Sequence, residues 1–300
     1  FVLLSVSIHQ TVFGKLVFLQ KSKPKSLRSA IRLKLQSVKT MSQREAKIGI
    51  VGGAGPYAGL DLAQKLLQQT KAKSDQDYLP TLLISTPELI EDRTDFLLGQ
   101  TAKNPAHAIY SNLCDLETLG ATVAGIACNT AHAPEIRNVF LEKLKISENN
   151  LKLLDMISET AEFIRNDCQE VNTVGVLSTI GTWKAGFYPK LLEESGFEVL
   201  TLNEQQQQHL HNEALFNPVY GIKVQAHPVS VQARDALLEG VHSLEKQGAQ
   251  AIILGCTEIP LGIPERILGE TYCIDPGLIL ARALIREFCC EKLLPWNWGE

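Results

Sequence analysis

Nothing in this 300-residue chain supplies a disulfide framework or a zinc ligand set. Its seven cysteines, at positions 114, 128, 168, 256, 273, 289 and 290, are odd in number, sparse, and free of any Cys-x-x-Cys pair. That usage fits thiols kept reduced in a cytoplasmic setting. Long hydrophobic runs are missing as well. The most apolar stretch, residues 1–19, is broken by Ser5, Ser7, His9, Gln10, Gly14 and Lys15, which excludes a spanning helix and argues against a membrane partner. Acidic residues are absent from positions 1–40, which carry eight basic ones. Setting those eight aside leaves 21 basic against 33 acidic residues, a net charge of −12. So acidic a body repels polyanions and argues against nucleic-acid binding.

A secretory signal would place its positive charges before the apolar run, and here they follow it. An acid-free Ser/Lys/Arg segment is compatible with a transit peptide. The simpler expectation is that Met41-Ser42 marks the natural start, with residues 1–40 a disordered or non-native extension that takes no part in the fold.

Hydrophobic residues make up 45% of the chain and charged residues 21%, enough for real cores, and the length suggests about two domains. From Lys47 onward, apolar runs alternate with helical stretches. Strands are expected at 48–53, 79–85 and 120–127, with helices at 57–71, 105–119 and 134–144; residues 87–99 read as a loop. The second half repeats the scheme. Strands are expected at 151–156, 172–178, 198–202, 248–255 and 271–275, and helices at 158–166, 183–195, 229–247 and from Pro276 onward. Such alternation implies βαβ units and parallel sheets.

Two segments tie the halves together. GATVAGIACNTAHAPEI, around Cys128, and GAQAIILGCTEIPLGI, around Cys256, share an apolar run, a cysteine and a following proline, with the cysteines 128 positions apart. AKIGIVGGAGP and NTVGVLSTIGT echo each other in the same order, Gly49 and Gly175 standing 126 apart. This is the mark of a duplicated α/β unit. The expected architecture is two pseudo-symmetric parallel-sheet domains with the active site in the cleft between them. Residues 47–150 form the first domain, with a C-terminal helix at 277–293 packing back on it, and residues 151–276 form the second.

In parallel sheets, ligands bind beyond the carboxyl ends of the strands, where both cysteines fall. Pseudo-symmetry would aim the two thiols at one ligand from opposite faces. That geometry suits stereoinversion: a thiolate removes a proton from one side and a thiol delivers one to the other. A helix beginning after each cysteine would favour the thiolate. The carbanion needs preorganised donors, for which the N–H groups after each cysteine and the side chains of Asn129, Thr130 and Thr257 are candidates. Each cysteine alone reads more simply as a small buried hydrophobe, but the matched repeat reverses that preference. Gly53 and Pro56 belong to a turn that loosely fits a dinucleotide fingerprint. Pro56 removes a phosphate-facing N–H and no acid ends the next strand, so a tight anion-accepting turn is the better reading. Thr179 and Thr182 hold the equivalent turn of the second half as candidate substrate donors. His132 either tunes the Cys128 thiol or packs its helix. Glu258 either orients a neighbour or is a first-turn acid. Four glutamines at 205–208 beside His209 and His211 read as solvated surface, so no metal is expected.

With those residues in view, the chain resembles the aspartate/glutamate racemases that work without pyridoxal phosphate. The resemblance covers residues 47–291 and rests on IGIVGGAGPYAG, on Glu91-Asp92-Arg93-Thr94, on ACNTAH, on NPVYGIK ending at Lys223 and on LGCTEIPL. It implies cofactor-independent racemisation of an acidic amino acid, aspartate or also glutamate. Cys128 and Cys256 would be the acid/base pair, and the assembly a homodimer. It also implies that Arg93, Lys223 and the Asn129-Thr130-Ala131 turn hold the substrate carboxylates, to which a guanidinium fork is suited. Nothing in the family resembles residues 1–40. Its relatives also include maleate isomerases and hydantoin racemases. A cysteine-dependent dicarboxylate isomerase, or a non-catalytic amino-acid-binding protein on the same scaffold, is therefore the alternative.

Overall fold

The computed structural model describes residues 46–168 and 170–299, which belong to one compact unit. The expectations for residues 1–40 lie outside the described residues. In chain order the first half is β1 (Lys47–Gly52), α1 (Pro56–Gln69), β2 (Thr81–Ser85), α2 (Arg93–Leu97), α3 (Ala106–Thr118), β3 (Ala121–Ile126), α4 (Pro134–Ile146), β4 (Lys152–Leu153) and α5 (Met156–Asp167). The second runs β5 (Thr173–Ser178), α6 (Ile180–Ala185), α7 (Phe187–Glu194), β6 (Glu198–Thr201), α8 (Glu204–His209), α9 (Val231–Lys246), β7 (Ala251–Gly255), α10 (Ile259–Gly262), β8 (Ile267–Leu268), β9 (Thr271–Ile274) and α11 (Pro276–Cys289).

The two sheets have the orders β2-β1-β3-β4 and β6-β5-β7-β9-β8. Each half therefore places its second strand outside its first, then its cysteine-bearing strand, then a fourth. All pairs are parallel except β8 with β9, a two-residue antiparallel edge that the repeat did not foreshadow. The inner strands are buried nearly throughout, as expected of sheets covered on both faces.

Local chemistry explains the helix boundaries. Pro56 opens α1, and the buried Ala58, Leu62 and Leu66 recur at one-turn spacing along it. Asp155 caps α5 by accepting from the N–H groups of Ile157 and Ser158, which starts the helix two residues earlier than expected. The single helix expected at 183–195 is two helices, α6 and α7, because Gly186 takes a left-handed φ of 65° between them. The loop expected at 87–99 contains α2, capped by Asp92. Asp275 caps α11, whose Leu280, Ala281, Ala283, Leu284 and Ile285 are fully buried. This helix packs on α1 and α5 and touches both β3 and β7. Burying each of its large side chains is worth about 1.5–3 kcal/mol. Among the described residues no helix is long and apolar enough to cross a membrane.

Candidate active site

The strand ends converge on one small cavity. Beyond β3 the chain bends through Cys128 into a 3-10 turn, Thr130–His132, and only then into α4. Beyond β7 it passes Cys256 into α10, a helix of four residues. Both cysteines line the cavity, with exposures of 6% and 5%. The other lining residues include Ala54, Arg93, Asn129, Thr130, Thr179, Lys223, Thr257 and Glu258. Its volume is about 10 Å³, room for roughly one water.

Arg93, first residue of α2, is buried rather than engaged at the surface. Its guanidinium donates to the carbonyls of Ala54 and Glu91 and shares the cavity wall with Cys128, while Asp92 stands 3.9 Å away. Its Nε is buried without a partner, as is Nδ2 of Asn129. A buried unpaired donor costs about 1–3 kcal/mol, so two of them at one cavity favour an acceptor-rich ligand. Thr130, Thr179 and Thr182 form a hydroxyl cluster joining the two halves, with Thr130 Oγ1 2.8 Å from Thr182 Oγ1.

Glu258 governs the other side. Its Oε2 accepts from the Cys256 thiol at 3.1 Å and its Oε1 accepts from Lys223 Nζ at 3.0 Å. It is the N-cap residue of α10 and makes no capping bond, so it does not sit in the first turn as the alternative reading had it. Burial would raise the Glu258 carboxyl, but Lys223, Cys256 and Arg93 bring it below its ordinary value. Burial pushes the Cys256 thiol far up and Glu258 adds to this, with Lys223 only partly opposing. The expected thiolate at a helix N-terminus is therefore not found at Cys256, because α10 is one turn long and an anion lies beside the sulfur. Burial would lower the Lys223 ammonium, but Glu258 and Cys256 raise it. Lys223 also lies 5.2 Å above the Phe216 ring.

Some expected residues stand behind the lining. Ala131 is fully buried in the 3-10 turn, Thr182 reaches the site through Thr130 and Thr179, Gly53 lies under the Thr86 backbone, and Pro56 is exposed. His132 is buried with Nδ1 3.5 Å from Asp155, on the far side of its turn. Ala54, Asp92, Thr94 and Phe216 line the cavity without having been named as site residues. Asp92 was findable, since Asp-x-x-Asp before an apolar pair reads as a helix cap; Phe216 carried no local signal. Gln207, read as surface, is fully buried and donates to the Ser178 carbonyl. His209 pairs with Glu239 while His211 stacks on Phe216, so the two do not share a ligand site.

The Asp/Glu/Hydantoin racemase family model matches residues 51–284. The chain belongs to that family. Among curated relatives, the glutamate racemase of Carboxydothermus hydrogenoformans is 28% identical over 185 residues, 61% of this chain and 62% of that one. The match thus spans about three fifths of that relative's length. The glutamate racemase of Pseudomonas entomophila is 25% identical over 255 residues, covering 82% and 83%. Among solved structures, the aspartate racemase of Picrophilus torridus superposes with a TM-score of 0.64 at 28% identity, covering 80% of this chain and 94% of that one. A glutamate racemase isoform from Bacillus anthracis shares the fold at 18% identity and a TM-score of 0.56. For a family member, two thiols on one cavity, with cations close by, are the feature on which a chemical assignment turns.

Proposed function

We propose that this chain racemises an acidic amino acid, with Cys128 and Cys256 as the acid/base pair and no cofactor. The observation that carries this reading is that two cysteines from equivalent strand ends line one buried cavity together with Arg93 and Lys223. One sulfur takes the α-proton, and the electron pair left on Cα spreads into the substrate carboxylate. That charge is stabilised by the N–H groups of Arg93 and Asn129, a role supported by their being buried without partners. The other sulfur gives its proton to the opposite face. Lys223 is engaged by Glu258 and serves a substrate carboxylate by exchanging or sharing that partner. Aspartate is the favoured substrate, because the likeness to an aspartate racemase spans nearly all of that protein.

In D₂O, L- and D-aspartate should each acquire deuterium at Cα. Cys128→Ala and Cys256→Ala should each reduce racemisation by at least about a thousandfold, the scale of losing an essential acid/base group. Unimpaired racemisation in either variant would refute the two-thiol mechanism. A second reading has one observation in its favour: Cys128 faces a guanidinium and Cys256 a carboxylate, the inequality a one-thiolate dicarboxylate isomerase would use. It predicts a covalent substrate adduct on a single cysteine, visible by intact mass.

A further inference from the structure

The duplication brings two cysteines to equivalent strand ends, but their neighbours two residues downstream differ. After Cys128 that position is Thr130, an uncharged hydroxyl bonded to Thr182. After Cys256 it is Glu258, 4% exposed and bonded to both the Cys256 thiol and Lys223. The turn opposite is shaped to admit this carboxylate: a Cβ on Gly55 would collide with Glu258 Oε1. The remaining charged groups are arranged around it. Arg93 and Asp92 lie across the cavity beside Cys128, and Asp61, paired with Lys65, stands behind. Thr257 adds its hydroxyl 3.4 Å from Glu258 Oε2. At this position the repeat is broken: a carboxylate bonds one thiol, where a hydroxyl follows the other.

Building on the racemase reading, we propose that Glu258 is a positioning residue that fixes the starting distribution of protons, holding Cys256 as the thiol that donates in the first half-reaction. In that step the Cα–H bond breaks, its proton forms S–H on Cys128, and the pair stays on Cα. The Cys256 S–H bond then breaks and its proton joins Cα from the opposite face. The site is left with a Cys128 thiol and a Cys256 thiolate against the Glu258 carboxylate, a like-charge contact relieved when solvent gives a proton to Cys256 and takes one from Cys128. Lys223 moderates that contact from the cavity edge.

The test is alkylation of the full chain by iodoacetamide from pH 6 to 10, with each cysteine followed by peptide mass spectrometry. Cys256 should react more slowly than Cys128 at neutral pH. Glu258→Gln, nearly isosteric, should speed Cys256 at pH 7.5 by about tenfold or more, since each unit of displacement in the titration is a tenfold change in thiolate. Lys223→Gln should move the Cys256 profile the other way, toward higher pH. Loosening of the site alone would shift both variants in the same direction and would overturn the proposal, as would an unchanged Cys256 profile in Glu258→Gln. Deuterium exchange into aspartate, measured on the same wild-type sample, separates the two ideas. Exchange without a Glu258-dependent shift defeats the proposal alone, whereas a shift without exchange defeats the racemase reading and the donor role with it.

Discussion

Tyr188 is 1% exposed and donates its hydroxyl hydrogen to Oδ1 of Asn129. This orients the amide and leaves Nδ2 unpartnered in a residue that lines the cavity. Burial holds the phenol well above its ordinary range, so it remains a neutral donor at any working pH. Tyr188→Phe removes the donor while keeping the ring. It should cost about 1–3 kcal/mol of stability by leaving a buried carbonyl unsatisfied, measured by urea unfolding. It should also raise KM for aspartate several-fold with a smaller change in kcat, since the amide is freed to turn. Sequence motifs pointed to Asn129 because it follows a cysteine in a repeated segment. They could not point to Tyr188, 59 positions away, because no local pattern encodes a contact made by folding. The Glu258–Cys256 contact was half legible: the residues were adjacent and conspicuous, but the direction of the effect on the thiol depends on burial.

At the level of elements, α2 carries Arg93 into the site and packs on α6. The approach depends on Gly181, where a Cβ would come within 2.9 Å of the Thr94 Cα, backbone that cannot step aside. Gly181→Ala should therefore push the two helices apart and draw Arg93 off its carbonyl partners. The expected cost is about 1–3 kcal/mol from overpacking. KM for the acidic substrate should rise more than tenfold while the two-thiol deuterium exchange persists at saturating aspartate. An unchanged KM would mean that Arg93 does not anchor substrate. The glycine spacing was visible as an echo between the halves, which revealed the repeat. Of α2 only the cap left a signal, the Asp92 hydrogen bond at 3.0 Å, because five residues between turns leave too little periodicity to register. The opposite error befell the stretch after Trp183. Its helical pattern continued through Gly186, but the left-handed backbone there splits it in two.

For the molecule as a whole, acid should be the condition that loosens the fold. Burial would raise the Asp155 carboxyl, but His132, the Ser158 N–H and Arg137 hold it far below its ordinary value. Glu258 is lowered as well. A carboxylate depressed on folding adds stability that is fully present above its unfolded pKa, near 4, and is lost as pH falls through the folded value. Urea midpoints should therefore fall steadily from about pH 5 downward. Asp155→Asn should flatten that slope while costing about 1–3 kcal/mol at pH 7, since it retains a capping side chain but removes the charge facing Arg137. A variant whose acid slope matches the wild type would show that Asp155 is not a main source of the effect. The alternation of apolar runs and the duplicated cysteine segments were enough to establish an α/β chain of two similar halves, because strand and helix periods and repeat spacing are properties of order along the chain. Tertiary structure alone decided the charge that each sulfur meets, since Arg93 and Lys223 come from distant positions and Glu258, two residues from Cys256, is set against its thiol and against Lys223 only by the fold. Their effect on a thiol depends on distance and exclusion of water, neither of which is written in a linear order of residues.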